Sequence, residues 1–184
     1  LNLTIPGVAN AIFFNGGQVC VAGSRLIVHK SIADQLIEGV AKYGREMVMG
    51  HGLDPKTQMG PLVAKSHAES VKKYVDDAVS VGAVLISGGH LLGSSGCYME
   101  PTIVGSVEQD MTIFQDEVFG PVLTVSVFED DEQALVLAND SNYGLAASIW
   151  TEGLANTHRI ADSINAGTVW VNSHLMFDSA LPIG

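Results

Sequence analysis

Cysteine is scarce in this chain. Two in 184 residues, Cys20 and Cys97, are too few for a disulfide framework, which points to a reducing, cytoplasmic setting. Basic residues are also few. Nine Lys and Arg stand against 20 Asp and Glu, a net charge of −11. Such a balance lacks the basic patch that nucleic acid or an anionic membrane surface requires, so neither is an expected partner. No apolar run approaches the roughly 18 residues that cross a bilayer, and the first residues lack the basic segment of a secretory signal. No histidine stands at metal-ligand spacing from another histidine or a cysteine, so no metal site is expected. The dinucleotide fingerprint G-x-G-x-x-G is absent, so no obvious dinucleotide-binding fold is carried here. Gly88, Gly89, Gly93 and Gly96 are not followed by Lys-Ser/Thr or a helix start, which leaves a plain turn rather than a phosphate cradle. No repeat or linker divides the chain. What is present is 47% hydrophobic and 16% charged, the composition of one globular domain with a real core. The chain opens at Leu1 without Met and stops at Gly184, and it reads as a piece of something longer.

The apolar periodicity alternates between helical and extended. Pro6 suits a first helical turn, with Val8, Ala11 and Ile12 at i, i+3, i+4 spacing. Residues 24–29, Ser-Arg-Leu-Ile-Val-His, carry the β-branched pair Ile27-Val28 and read as a strand. Ser31 is a candidate N-cap for a helix burying Ile32, Leu36, Val40, Tyr43 and Met47, and Ser66 for one burying Val71, Tyr74, Val75 and Ala78. Ala83 to Ile86 reads as a short buried strand, and Tyr98 to Val107 as an extended run through Pro101. Val122 to Phe128 alternates as a strand does. Asp130 and Gln133 fit an N-cap and N3 pair. Leu145 to Trp150 is a strand. Thr151 is a candidate cap for a helix holding Leu154, His158, Ala161 and Ile164, and 168–172 is the last strand. This alternation predicts an α/β fold: a mainly parallel sheet with helices on both faces.

One stretch carries the chemistry. Residues 13–25 run Phe-Phe-Asn-Gly-Gly-Gln-Val-Cys-Val-Ala-Gly-Ser-Arg. Asn-Gly-Gly signals a turn, and Cys20 follows it at the junction of two elements. A cysteine there can be partly exposed and close to oriented backbone N–H groups, which favour the nucleophilic thiolate. Against this, a lone cysteine is most often a buried, inert side chain. Cys97 has no polar constellation around it and reads as structural. The six histidines, His29, His51, His67, His90, His158 and His174, read as surface or satisfied residues. Glu117, in Asp-Glu-Val-Phe-Gly-Pro, could accept hydrogen bonds from a ribose while Phe119 packs on a flat group. Taken alone it is a solvated loop acid beside a core phenylalanine.

Together these segments resemble the NAD(P)-dependent aldehyde dehydrogenase superfamily. The matching pieces are 14–20 with Gly23-Ser24-Arg25, Gly60-Pro61-Leu62-Val63, 117–122, Asn139 with 143–147, and 167–172. They occur in family order across nearly the whole chain. The ending, from Asn172 to Gly184, is most similar to the phenylacetaldehyde dehydrogenase branch. The resemblance implies a catalytic domain over residues 1–184, with Cys20 attacking an aldehyde to give a thiohemiacetal and then a thioester. It implies that Glu117 meets the nicotinamide ribose of NAD or NADP, and Phe119 the nicotinamide. Val19, Val21, Phe177 and Ile183 match positions lining the aldehyde tunnel, Ile183 where many relatives carry an aromatic. It places the general-base Glu, an oxyanion Asn and the cofactor-binding domain upstream of Leu1, and an oligomerisation strand after Gly184. The full protein would be a homo-oligomer, a dimer or tetramer, and the isolated chain inactive. Two other functions compete: a cysteine hydrolase or acyl transferase, which needs a histidine near Cys20, and a non-catalytic interaction module.

Overall fold

The computed structural model describes residues 1–93 and 97–183. Gly96 of the glycine-rich excursion and the final Gly184 lie outside them. Helix α1 (Thr4–Phe13) buries Val8, Ala9, Ala11, Ile12 and Phe13 and runs into a tight 3-10 turn, Phe14–Gly17. Strand β1 (Arg25–His29) and helix α2 (Ala33–Glu46) follow. Helix α3 (Lys65–Ser80) buries Ala68, Val71, Val75 and Ala78. Strand β2 (Val84–Ser87), the short pair β3 (Leu91–Leu92) and β4 (Tyr98–Met99), and β5 (Thr102–Gly105) come next. The one-turn helix α4 (Thr112–Gln115) precedes β6 (Val122–Phe128). A final stretch in which helix and strand alternate holds α5 (Asp131–Asn139), β7 (Ala146–Ile149), α6 (Leu154–Ser163) and β8 (Thr168–Val171).

The main sheet has the order β1-β6-β5-β2. β6 pairs in parallel with both β1 and β5, and β2 joins the edge antiparallel. β7 and β8 form a separate parallel pair across α6. Successive residues of the central strands point to opposite faces, and both faces are covered. Ile103, Leu123 and Val125 pack with α1 and α2, while Val104 and Val122 pack with α3 and α4. Each such side chain, fully buried, contributes about 1.5–3 kcal/mol of transfer free energy. The chain is therefore an α/β fold with a mainly parallel sheet between helical layers, as the periodicity predicts.

Several local expectations are corrected. Ser31 does not cap α2, because its hydroxyl pairs with the His29 ring at 2.8 Å and Ile32 takes the cap position. Ser66 lies inside the first turn of α3, whose cap is Ala64. Thr151 stands two residues too early, accepting from Gly153 N–H while Gly153 caps α6. The β2 strand is an exposed edge rather than a buried strand, with Val84 52% accessible. On α6 the buried residue is Thr157, and Leu154 and His158 face out. Asp130 does cap α5: its carboxylate accepts from Gln133 N–H, and the Gln133 amide oxygen accepts from Glu129 N–H, both at 2.9 Å.

Candidate active site

The turn before Cys20 uses its residue types for their backbone freedom. Asn15, Gly16 and Gly17 all have positive φ, at 52°, 64° and 70°. Glycine adopts this region without a Cβ penalty, and asparagine tolerates it. The conformation turns the chain sharply off α1. Gln18 then fixes it, its amide donating to Asn15 O and its amide oxygen accepting from Val63 N–H at 2.8 Å. The Gly60-to-Val63 segment is thereby bonded to the cysteine loop. Ala22 N–H closes a second turn onto Val19 O at 2.9 Å, with Cys20 and Val21 in its middle. Cys20 is an exposed, free thiol.

The second loop, from Asp116 to Gly120, is held by α3. Tyr74 Oη donates to the Asp116 carboxylate at 3.0 Å. His67 Nε2–H donates to the Phe119 carbonyl at 2.8 Å. Phe119 sits at φ 54°, a left-handed conformation that a bulky side chain seldom takes. Between two such residue anchors Val118 is buried, whereas Glu117 and Phe119 are exposed. The Glu117 carboxylate has no hydrogen-bond partner among the described residues.

One contact brings the two loops together. A Cβ placed on Gly17 would lie 2.0 Å from the Gly120 carbonyl oxygen. The loops therefore meet backbone to backbone, a closeness only glycine permits. Cys20, Val19, Val21, Glu117 and Phe119 consequently line one cleft of about 750 Å³. Arg25 lines it as well. Its guanidinium donates to the Leu137, Ala138 and Asp140 carbonyls at the end of α5 and lies over the Phe114 ring, 4.9 Å from its centroid. Burial pulls its pKa below the usual arginine range, and the charge of Asp140 opposes this. Phe177 and Ile183 do not line the cleft; both are exposed on the terminal segment, and Phe177 packs edge-on against Trp170.

His174, one of the six histidines that read from the sequence as surface or satisfied residues, has a more particular place. It lines the cleft, and its Nε2–H donates to the Val21 carbonyl at 2.7 Å across 153 residues of chain. Burial holds its pKa below the ordinary histidine range, and the bond to Val21 only partly offsets that. The imidazole is therefore neutral near pH 7. The sequence signal for it is its place in the ending from Asn172 to Gly184 that carries part of the resemblance. No histidine ring bonds the Cys20 thiol among the described residues. His29 is taken by Ser31 and the Glu129 carbonyl. The Cys-His pair that a cysteine hydrolase would need is not assembled by these residues. The described residues form no group of three or more His, Cys, Asp or Glu able to hold a metal ion, and no described helix is long and apolar enough to cross a membrane.

The chain resembles known proteins along its whole length. A phenylacetaldehyde dehydrogenase of Pseudomonas fluorescens is 47% identical over 180 residues, covering 97% of this chain and 36% of that protein. The NADP/NAD-dependent aldehyde dehydrogenase PuuC of Escherichia coli is 40% identical over 184 residues, covering 100% of this chain and 37% of that protein. A crystal structure of betaine aldehyde dehydrogenase from Staphylococcus aureus, in complex with NAD+, superposes with a TM-score of 0.96 at 35% identity, over 100% of this chain and 37% of that one. The chain thus spans little more than a third of the length of these relatives. The profile of the Aldehyde dehydrogenase family matches residues 1–184 from end to end. The chain belongs to the aldehyde dehydrogenase family.

Proposed function

We propose that residues 1–184 are the catalytic domain of an NAD(P)-dependent aldehyde dehydrogenase, with Cys20 as its nucleophile. The observation that carries this is the Gly17–Gly120 approach, which gives the exposed thiol and the Glu117–Phe119 loop a common cleft. The Cys20 sulfur attacks the aldehyde carbon, forming the C–S bond as the carbonyl π bond breaks toward oxygen. The oxyanion is held in part by the Cys20 backbone N–H, which has no other partner among the described residues. NAD or NADP, when bound, supplies the hydride acceptor. Loss of hydride from the thiohemiacetal leaves a thioester on Cys20, and water releases the acid and restores the thiol.

The residues present fit that cofactor. Glu117 offers an exposed, unengaged carboxylate to ribose hydroxyls. Phe119, 39% accessible, offers a ring to a flat heterocycle. Val19 and Val21 flank the nucleophile as apolar walls of the aldehyde tunnel. Phe177 and Ile183 are assigned to that tunnel by the family resemblance alone, since both stand exposed outside the cleft on the terminal segment. The general base, the oxyanion Asn and the dinucleotide-binding domain come from the part of the relatives' length that this chain does not span. The apolar edge at Val84, Leu85 and Ile86 supports a homo-oligomer, a dimer or tetramer. A catalytic thiol fits a reducing, cytoplasmic setting. Phenylacetaldehyde is the first substrate to test, from the 47% identity to the Pseudomonas enzyme. In the whole protein, Cys20→Ser is expected to lower NADH formation from phenylacetaldehyde and NAD by about 1,000-fold or more. Turnover at the wild-type rate in that variant would remove the proposal.

A further inference from the structure

His174 reaches the nucleophile turn from the far end of the chain. Its Nε2–H donates to the Val21 carbonyl at 2.7 Å. That carbonyl belongs to the same peptide unit as the Ala22 N–H, which donates to Val19 O at 2.9 Å and closes the turn around Cys20. Both polar ends of one planar peptide are thus engaged, and rotating it breaks two bonds at once. The other anchors act outside the turn: Gly23 N–H on Ala11 O, and Gln18 on Asn15 and Val63. Among the described residues, His174 is the side chain that grips the turn's closing peptide.

The ring itself is closely placed. Trp170 meets it edge to face, with centroids 4.7 Å apart and planes at 63°. On another side a Cβ built on Gly23 would lie 3.9 Å from its Cε1. A carbonyl can only accept, so Nε2 carries the proton and Nδ1 is a bare acceptor. Nδ1 is buried and has no hydrogen-bond partner. An orphaned buried acceptor is a net cost that an apolar ring in the same space would avoid. The imidazole is therefore poorly explained by packing alone, and its one engaged atom points to its use.

We infer that His174 is a positioning residue for the reaction at Cys20: its Nε2–H holds the Val21–Ala22 peptide and so sets how the thiol and the Cys20 N–H are presented to the aldehyde carbonyl. The inference rests on reading Cys20 as the nucleophile. Three variants of the whole protein test it with phenylacetaldehyde and NAD, alongside the rate of Cys20 alkylation by iodoacetamide, read by mass spectrometry of its peptide. Glutamine carries an amide N–H out to the reach of Nε2, whereas asparagine stops near Nδ1. His174→Asn and His174→Leu are expected to lower kcat and the alkylation rate about tenfold, with KM within about twofold of wild type. His174→Gln restores most of both. Wild-type behaviour of His174→Asn overturns the inference, as does an equal loss in the Gln and Asn variants. Leucine is the variant that can misfold, and the Asn–Gln comparison stands without it. Cys20→Ser run in parallel separates the two claims. An active Cys20→Ser protein removes the nucleophile and His174's task with it. An inactive one beside an unaltered His174→Asn protein removes the task of His174 alone.

Discussion

Gly17 holds the two halves of the cleft in contact, and its substitution tests how much of the site depends on one missing side chain. Its φ of 70° already disfavours any Cβ, and the nearest obstacle is backbone, the Gly120 carbonyl at 2.0 Å, which cannot swing aside as a flexible side chain would. Gly120 is itself confined, since a Cβ there would meet Val71 of α3 at 2.6 Å. The loop therefore cannot retreat toward the helix. Gly17→Ala is expected to cost about 2–5 kcal/mol, from left-handed strain added to overpacking. Urea unfolding checks this, and a loss under 1 kcal/mol would mean that the loops separate easily. Gly16 is the internal control. It has a similar φ, but its Cβ would meet only the Gln18 amide at 3.3 Å and Leu62 at 3.6 Å. Its substitution should cost the conformational part alone.

At the level of elements, Arg25 links three of them. It opens β1, caps the carbonyl end of α5 with three hydrogen bonds of 2.9–3.2 Å, and stacks on Phe114 of α4 just before the Glu117 loop. A cation at a helix C-terminus also opposes the negative end of the helix dipole. Arg25→Leu leaves those carbonyls unpaired and is expected to destabilise the fold by about 2–4 kcal/mol. Arg25→Lys should recover only part of that, because an ammonium cannot reproduce the planar fork that spans the three carbonyls. Thermal unfolding of both variants decides it, and equal stability of Lys and wild type would refute the geometric reading. Asn139 makes a similar tie, with its amide on Ser163 O and its oxygen on Asn165 N–H, joining the end of α5 to the end of α6. Asn172 does the same to Thr151 with two bonds. Several residues that carried the family resemblance thus fasten elements together. Helices and strands were legible because apolar period follows burial. The caps at Ser31, Ser66 and Thr151 were not, because hydroxyls near a helix start have competing local partners, as the His29–Ser31 pair shows. The Asp130–Gln133 cap was legible because two residues must agree. Cys20, Glu117 and Phe119 could be singled out by type and neighbours. His174 could not, because its partner lies 153 residues away.

At the scale of the whole molecule, the proposed function separates holding a nucleophile from completing a reaction. The cleft supplies a thiol, a candidate oxyanion donor and two groups suited to a nicotinamide riboside. Among the described residues that line it, Arg25 is the one Lys or Arg. Lys and Arg number nine in 184 residues, and the cleft-lining Arg25 is spent on the α5 carbonyls. A dinucleotide binds through its phosphates as well as its rings, usually at a glycine-rich helix start, and no such fingerprint occurs here. The isolated 184-residue chain is therefore expected to form no NADH from phenylacetaldehyde and NAD at concentrations where the whole protein turns over. The same preparation should still take up iodoacetamide at Cys20, because the turn that presents the thiol is built from residues within the chain, His174 included. Alkylation without turnover would assign the nucleophile to this chain and the hydride acceptor's binding to another segment. NADH formation by the isolated chain would show that Glu117 and Phe119 suffice for the cofactor, and would dissolve that division of labour.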